Sequence, residues 1–128
     1  DMNVLITGRL AGSSANAYDV DGGTTTMRSP DIVLPLGKIS TLSFYYYFAH
    51  GTNSSSWDRF RVKVVGRTTK IVLDERGAAN NDNGAWDFAT ASLSEFAGQT
   101  VYLLIEATDS SADSLVEAAI DTVKITSQ

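Results

Sequence analysis

The chain has 128 residues, no cysteine and a formal net charge of −5. That length supports a single domain, 1–128, with a true core. The missing thiols exclude a disulfide scaffold and leave the redox compartment unreported. An acidic chain is a poor partner for nucleic acid, whose phosphates reward a basic surface, and no apolar run nears the roughly 20 residues that span a bilayer.

In chain order, Asp1-Met2-Asn3-Val4 lacks the basic-then-apolar layout of a signal peptide and reads as the edge of a fragment cut from a longer chain. Residues 3–7 make a short strand candidate, 8–17 a small and polar loop, and Tyr18 to Gly23 a carboxylate-dense turn. Thr24 to Ser29 is β-branched and alternating until Pro30 ends it. Residues 32–37 are a short extended piece closed at Gly37-Lys38.

Thr41 to Val65 is the stretch with the strongest pattern. Leu42, Phe44, Tyr46 and Phe48 share one face, with Ser43, Tyr45 and Tyr47 on the other. After the polar segment Gly51 to Trp57, Phe60, Val62 and Val64 alternate with Arg59, Arg61 and Lys63. Two alternating runs around one loop are expected to be a pair of long strands in one sheet. Gly66-Arg67 turns the chain into a strand at 68–74, with Ile71 and Leu73 on one face. Asn83-Gly84 is a turn signal. Residues 86–93 are extended, 94–99 form one helical turn, and 100–108 and 115–126 are the last two strands. The charge is uneven along this path: residues 1–58 carry −2, residues 59–76 carry +4 and residues 77–128 carry −7.

About eight short strands with Gly- and Asn-marked turns, and no helix of ordinary length, predict an all-β fold: an antiparallel two-sheet β-sandwich of the jelly-roll kind. Its expected core contains Phe44, Tyr46, Phe48, Phe60, Val62, Leu103 and Ile105. Abundant Thr, Ser, Ala, Gly and Asp with little Lys suit a secreted bacterial module.

The order of several pieces carries a resemblance. They are DVDGGTTTMRSP at 19–30, LSFYYYFAHG at 42–51, SSSWDRFRVKVV at 54–65, NGAW at 83–86, FAGQTVYLLIEA at 96–107 and SLVEAAIDTVKI at 114–125. Together they resemble the cysteine-free, MAM-like jelly-roll modules appended to secreted bacterial hydrolases, zinc carboxypeptidases among them. The resemblance implies a non-catalytic, extracellular accessory domain, joined to a parent catalytic domain, with a structural calcium and a role in binding glycan or other polymeric substrate.

Calcium takes six to eight oxygen ligands. Asp19 and Asp21, two residues apart and followed by glycines, share the opening of an EF-hand loop but lack its later ligands. In the last strand Glu117 and Asp121 interrupt an apolar pattern, and the phase slips at Asp121-Thr122, which predicts a bulge. A carboxylate among apolar neighbours is costly unless paired or metal-bound. The expected calcium set is therefore Asp19 or Asp21 with Asp121, with Glu117 and Asp58 as further candidates; the competing reading has Asp19 and Asp21 capping a turn and Asp121 accepting backbone N–H groups.

Catalysis has little to stand on in the sequence. His50 is the only histidine, and neither a nucleophile elbow nor a multi-histidine zinc pattern accompanies it. Asp74 and Glu75 are adjacent, so their side chains diverge on an extended chain.

The aromatics carry more. Tyr45 and Tyr47 share a face, and Trp57 and Trp86 sit in or beside polar loops. Sugar rings stack on aromatic faces. As the two central strands are expected to be neighbours, Tyr45, Tyr47, Arg59 and Arg61 are expected to form one binding face for a polysaccharide, anionic ones included, with Trp57 at its edge. The alternative is a structural or protein-interaction domain of a secreted peptidase that binds no glycan.

Overall fold

A computed structural model describes residues 5–6, 23–110 and 116–128. Nine strands are described: β1 (Leu5–Ile6), β2 (Gly23–Arg28), β3 (Ile32–Val33), β4 (Ser40–His50), β5 (Arg59–Val65), β6 (Thr69–Arg76), β7 (Trp86–Ser92), β8 (Thr100–Asp109) and β9 (Val116–Ser127). A single 3-10 turn, Ser94–Phe96, stands where the helical turn was predicted. None of the described helices is long and apolar enough to cross a bilayer.

The strands make two antiparallel sheets. One has the order β1-β9-β4-β7 and the other β2-β8-β5-β6, with β3 pairing the start of β8. The pairs are nested in sequence. β5–β6 is the innermost hairpin, β4–β7 surrounds it, then β2–β8, then β1–β9, alternating between sheets. This nesting is the jelly roll anticipated from the sequence.

Alternation sets the core. Leu42, Phe44 and Phe48 of β4 point inward toward Phe60, Val62 and Val64 of β5 and Val101 and Leu103 of β8. Burying each such side chain contributes roughly 1.5–3 kcal/mol. Phe44, Phe48, Phe60, Val62 and Leu103 are buried as expected, while Tyr46 and Ile105 are partly buried and pack against the cluster.

Two expectations are corrected. The central strands are not partners in one sheet: β4 belongs to the four-stranded sheet, and β5 lies in the other, between β8 and β6. The reason is the connection. Residues 51–58 exceed the two to about five residues of a hairpin loop, and they arch over the end of the sandwich instead. The tight turn is the next one, after Val65, which pairs with Thr69. In β6, Ile71 and Leu73 do not share a face. A bulge opposite Val62 and Lys63 shifts the register, so Val72 and Leu73 both pack on the core and Ile71 is exposed.

The bulge predicted in the last strand is present. The β4–β9 register shifts between Ser43 and Tyr45, which face Lys124 and Asp121, and Thr122 takes a positive φ of 51°. Asp121 Oδ1 accepts the Thr122 N–H at 2.7 Å, the backbone role that competed with calcium.

Candidate functional site

The outer face of the four-stranded sheet is aromatic. Inward Phe44 alternates with outward Tyr45 and Tyr47 on β4, and the edge strand β7 places Phe88 opposite Tyr45 and Trp86 opposite Tyr47. The facing rings form two tilted pairs, Tyr45–Phe88 at 5.1 Å and Tyr47–Trp86 at 5.9 Å between centroids. Three rings are open to solvent: Tyr45 is 45% exposed, Trp86 50% and Phe88 57%. The pairs are two residues apart along the strands, about 7 Å, the scale of one sugar ring.

β7 reverses the usual pattern. Its large residues point out and Ala89 packs on the core, so binary patterning alone would turn this strand over. Its own pattern therefore does not mark Phe88 as an outward residue. The sequence marks Trp86 only as an aromatic beside a polar loop, without a face.

The Tyr47 ring is fixed from behind. Its hydroxyl donates to the Asn83 carbonyl at 2.7 Å, and Gly84, with a φ of +72°, lets the ring lie against the turn. A Cβ there would come within 2.7 Å of the ring. Burial, then the negative charges of Glu117 and Asp82, push the Tyr47 phenol above its ordinary value.

Carboxylates border this face. Asp121 stands opposite Tyr45, and Glu117, opposite Ala49, retains only 8% exposure. Lys124 faces Ser43 at the far end.

The cations expected beside the tyrosines project from the opposite side of the sandwich, on the second sheet. There Arg61 and Lys63 are engaged with acids. Arg61 Nε donates to Asp74 at 3.0 Å, Arg76 pairs with Asp74 at 3.2 Å, and Lys63 pairs with Glu106 at 3.2 Å. Burial alone would raise Asp74, but hydrogen bonds from Arg61 and Arg76 hold its carboxyl below the ordinary range. Trp57 is exposed on the crossover loop, and its ring contact is the Arg59 guanidinium, 5.7 Å from the centroid. The single mixed face of Tyr45, Tyr47, Arg59 and Arg61 is therefore corrected to two faces. β4 and β5 lie in different sheets, so their outward side chains point apart.

The calcium set is only partly within the described residues. Asp19 and Asp21 lie outside them. Asp58 is fully buried at the end of the sandwich, where its carboxylate accepts hydrogen bonds from Ser54 Oγ (2.7 Å), Ser55 N (2.9 Å) and Ser110 N (3.0 Å). Among the described residues no three acidic or histidine side chains converge as a metal group, so Asp58, Glu117 and Asp121 do not make one together. His50 is also buried, its Nδ1–H donating to the Asn80 carbonyl at 3.0 Å and its Nε2 4.0 Å from Asp82.

No family model matches the chain, and no curated protein matches it. A solved structure described as "CBM4 structure and function" aligns with 87% of this chain and 82% of its own, at 17% identity and a TM-score of 0.42.

Proposed function

We propose that the chain is a non-catalytic module that holds a polysaccharide against the outer face of the four-stranded sheet. The observation that carries this reading is the pair of cross-strand aromatic couples, Tyr45–Phe88 and Tyr47–Trp86, on one solvent-facing surface. A sandwich gains nothing from leaving Trp86 and Phe88 half in water, whereas sugar rings bury apolar C–H surface on such rings. Asp121 at the border supplies an acceptor for hydroxyl groups.

In this reading the module acts in a secreted hydrolase. It keeps the attached catalytic domain at high effective concentration beside its polymer. The calcium expected at Asp19 or Asp21 together with Asp121 belongs to the same proposal, and further oxygen ligands would complete its shell. A rise in Tm on adding calcium to chelator-treated protein tests that part.

The binding reading is tested by retention on insoluble polysaccharides and by oligosaccharide titration of the parent and of the double variant Tyr45→Ala/Phe88→Ala. Loss of one stacked couple should weaken binding at least tenfold, about 1.4 kcal/mol, with the circular dichroism spectrum unchanged. A folded double variant that binds as well as the parent would show that this face is not the site.

A further inference from the structure

A cavity opens at the edge of the sandwich, immediately around β7 from the aromatic face. Tyr46 and Phe48 of β4, Glu75 and Arg76 of β6, and Asp82, Gly84, Ala85 and Asp87 line it, and its volume is about 220 Å³. Side chains alternate along β7, so Trp86 and Phe88 lie on the aromatic face while Asp87 between them turns into the cavity. Pockets for drug-sized ligands run to roughly 300–1,000 Å³. This one suits a single ring or an end group.

Its lining is dominated by acceptors. Glu75 Oε1 accepts the Tyr46 hydroxyl at 2.8 Å, and Asp82 Oδ1 accepts the Gly84 N–H at 2.8 Å while its Oδ2 lies 4.0 Å from His50 Nε2. The Asp87 carboxylate accepts no hydrogen bond and pairs with no cation among the described residues, and Asp87 is exposed. The one cation in the wall, Arg76, is engaged by Asp74. Yet the three carboxylates do not converge into a metal group. Separated acceptors around a ring-sized space match a ligand with several separated donors and a positive charge. A bare ion offers no such set of donors.

Resting on the glycan reading above, we infer that the polymer carries free amino groups, as glucosamine residues do, and that this cavity receives an ammonium-bearing ring. Charge complementarity points the same way on the neighbouring surface. Asp82, Asp87 and Asp121 flank the aromatic couples, whereas Arg59, Arg61 and Lys63 of β5 lie on the other sheet, the latter two in ion pairs with Asp74 and Glu106. A uronic-acid polymer would meet carboxylates at Asp121 and along the cavity side of the platform, with Lys124 the one described cation, at the far end.

The test is calorimetric titration with a glucosamine hexamer and with its fully N-acetylated counterpart, at low salt and at a pH where the amines are charged. The parent should bind the amine form at least tenfold more tightly, and raised salt should shrink the gap. Asp87→Asn, at an exposed position, should bring the two affinities together by weakening the amine form alone. Glu75→Gln, which keeps an acceptor for Tyr46, should do the same. Equal affinities in the parent, or a preference untouched by both variants, would overturn the amine inference while leaving the aromatic reading intact. Binding of neither oligomer nor any neutral polysaccharide would overturn both.

Discussion

Gly84 is the residue on which the aromatic face most directly depends. Its φ of +72° is a conformation that side-chain-bearing residues adopt at a cost, and the Tyr47 ring fills the space where a Cβ would stand. Gly84→Ala should therefore do two things. It should destabilise the fold by about 1–2 kcal/mol, since alanine at positive φ loses more than the entropy it saves, read as a lower Tm. It should also displace Tyr47 and weaken polysaccharide retention in the protein that remains folded. Tyr46 offers a second reading at this scale. Burial, and then its hydrogen bond to Glu75, push its phenol up to about 12 from an ordinary 10.0. The folded state thus holds this proton more tightly than the unfolded chain does. The stability it contributes is complete below pH 10 and is lost as pH rises through about 12. Denaturation midpoints measured across that alkaline window should fall in the parent and fall less in Tyr46→Phe.

Among the elements, the crossover from β4 to β5 does the most to define the architecture, and Asp58 secures it. The buried carboxylate gathers the Ser54 hydroxyl and the Ser55 and Ser110 N–H groups, while its own carbonyl accepts the Gly77 N–H at 2.8 Å. One residue thereby ties the crossover loop to the segment after β8 through its side chain and to the segment after β6 through its backbone. Asp58→Ala would leave three donors without their acceptor, the buried Ser54 hydroxyl among them, and would empty a fully buried position; an unsatisfied buried group alone costs about 1–3 kcal/mol. A loss on the order of 3 kcal/mol or more, with a cooperative transition retained, is the expected result of chemical denaturation. A loss under about 1 kcal/mol would mean that the loop holds its shape without this residue.

At the scale of the whole molecule, two sheets present two chemically different outer surfaces. One is aromatic and bordered by acids, and the other is a lattice of ion pairs built on Arg61, Lys63, Asp74 and Glu106. These pairs are half-buried at the surface; solvent-exposed pairs each contribute about 0–1 kcal/mol and are screened by salt. The double variant Arg59→Ala/Arg61→Ala should consequently leave affinity for a neutral oligosaccharide within about twofold of the parent at any salt concentration. Tyr45→Ala/Phe88→Ala should lose affinity at every salt concentration. Comparable losses in the two double variants would tie the faces together through the core and defeat the division proposed here.

Local pattern was enough for much of this. Period-two alternation located the long strands and most of the core, because a sheet face is either buried or wet and each residue type reports which. Asn83-Gly84 marked its turn, since the left-handed conformation there is a local demand, and the phase slip at Asp121-Thr122 marked the β9 bulge for the same reason. The absence of helix-period segments between strands pointed to an antiparallel sandwich. What the sequence did not contain was the assignment of strands to sheets. Tyr45, Tyr47, Arg59 and Arg61 lie close along the chain, but the long loop at 51–58 sends their strands to opposite layers, and only the nested pairing of β4 with β9 and β7 decides that. Phe88 joined the aromatic face for a related reason. An edge strand with alanines inside and rings outside inverts the rule that large apolar residues point inward, and its orientation is fixed by the partner strand rather than by its own pattern. The cavity beside it belongs wholly to the tertiary structure: Tyr46, Glu75 and Asp87 are far apart in sequence, and they meet where the open edges of two sheets face each other.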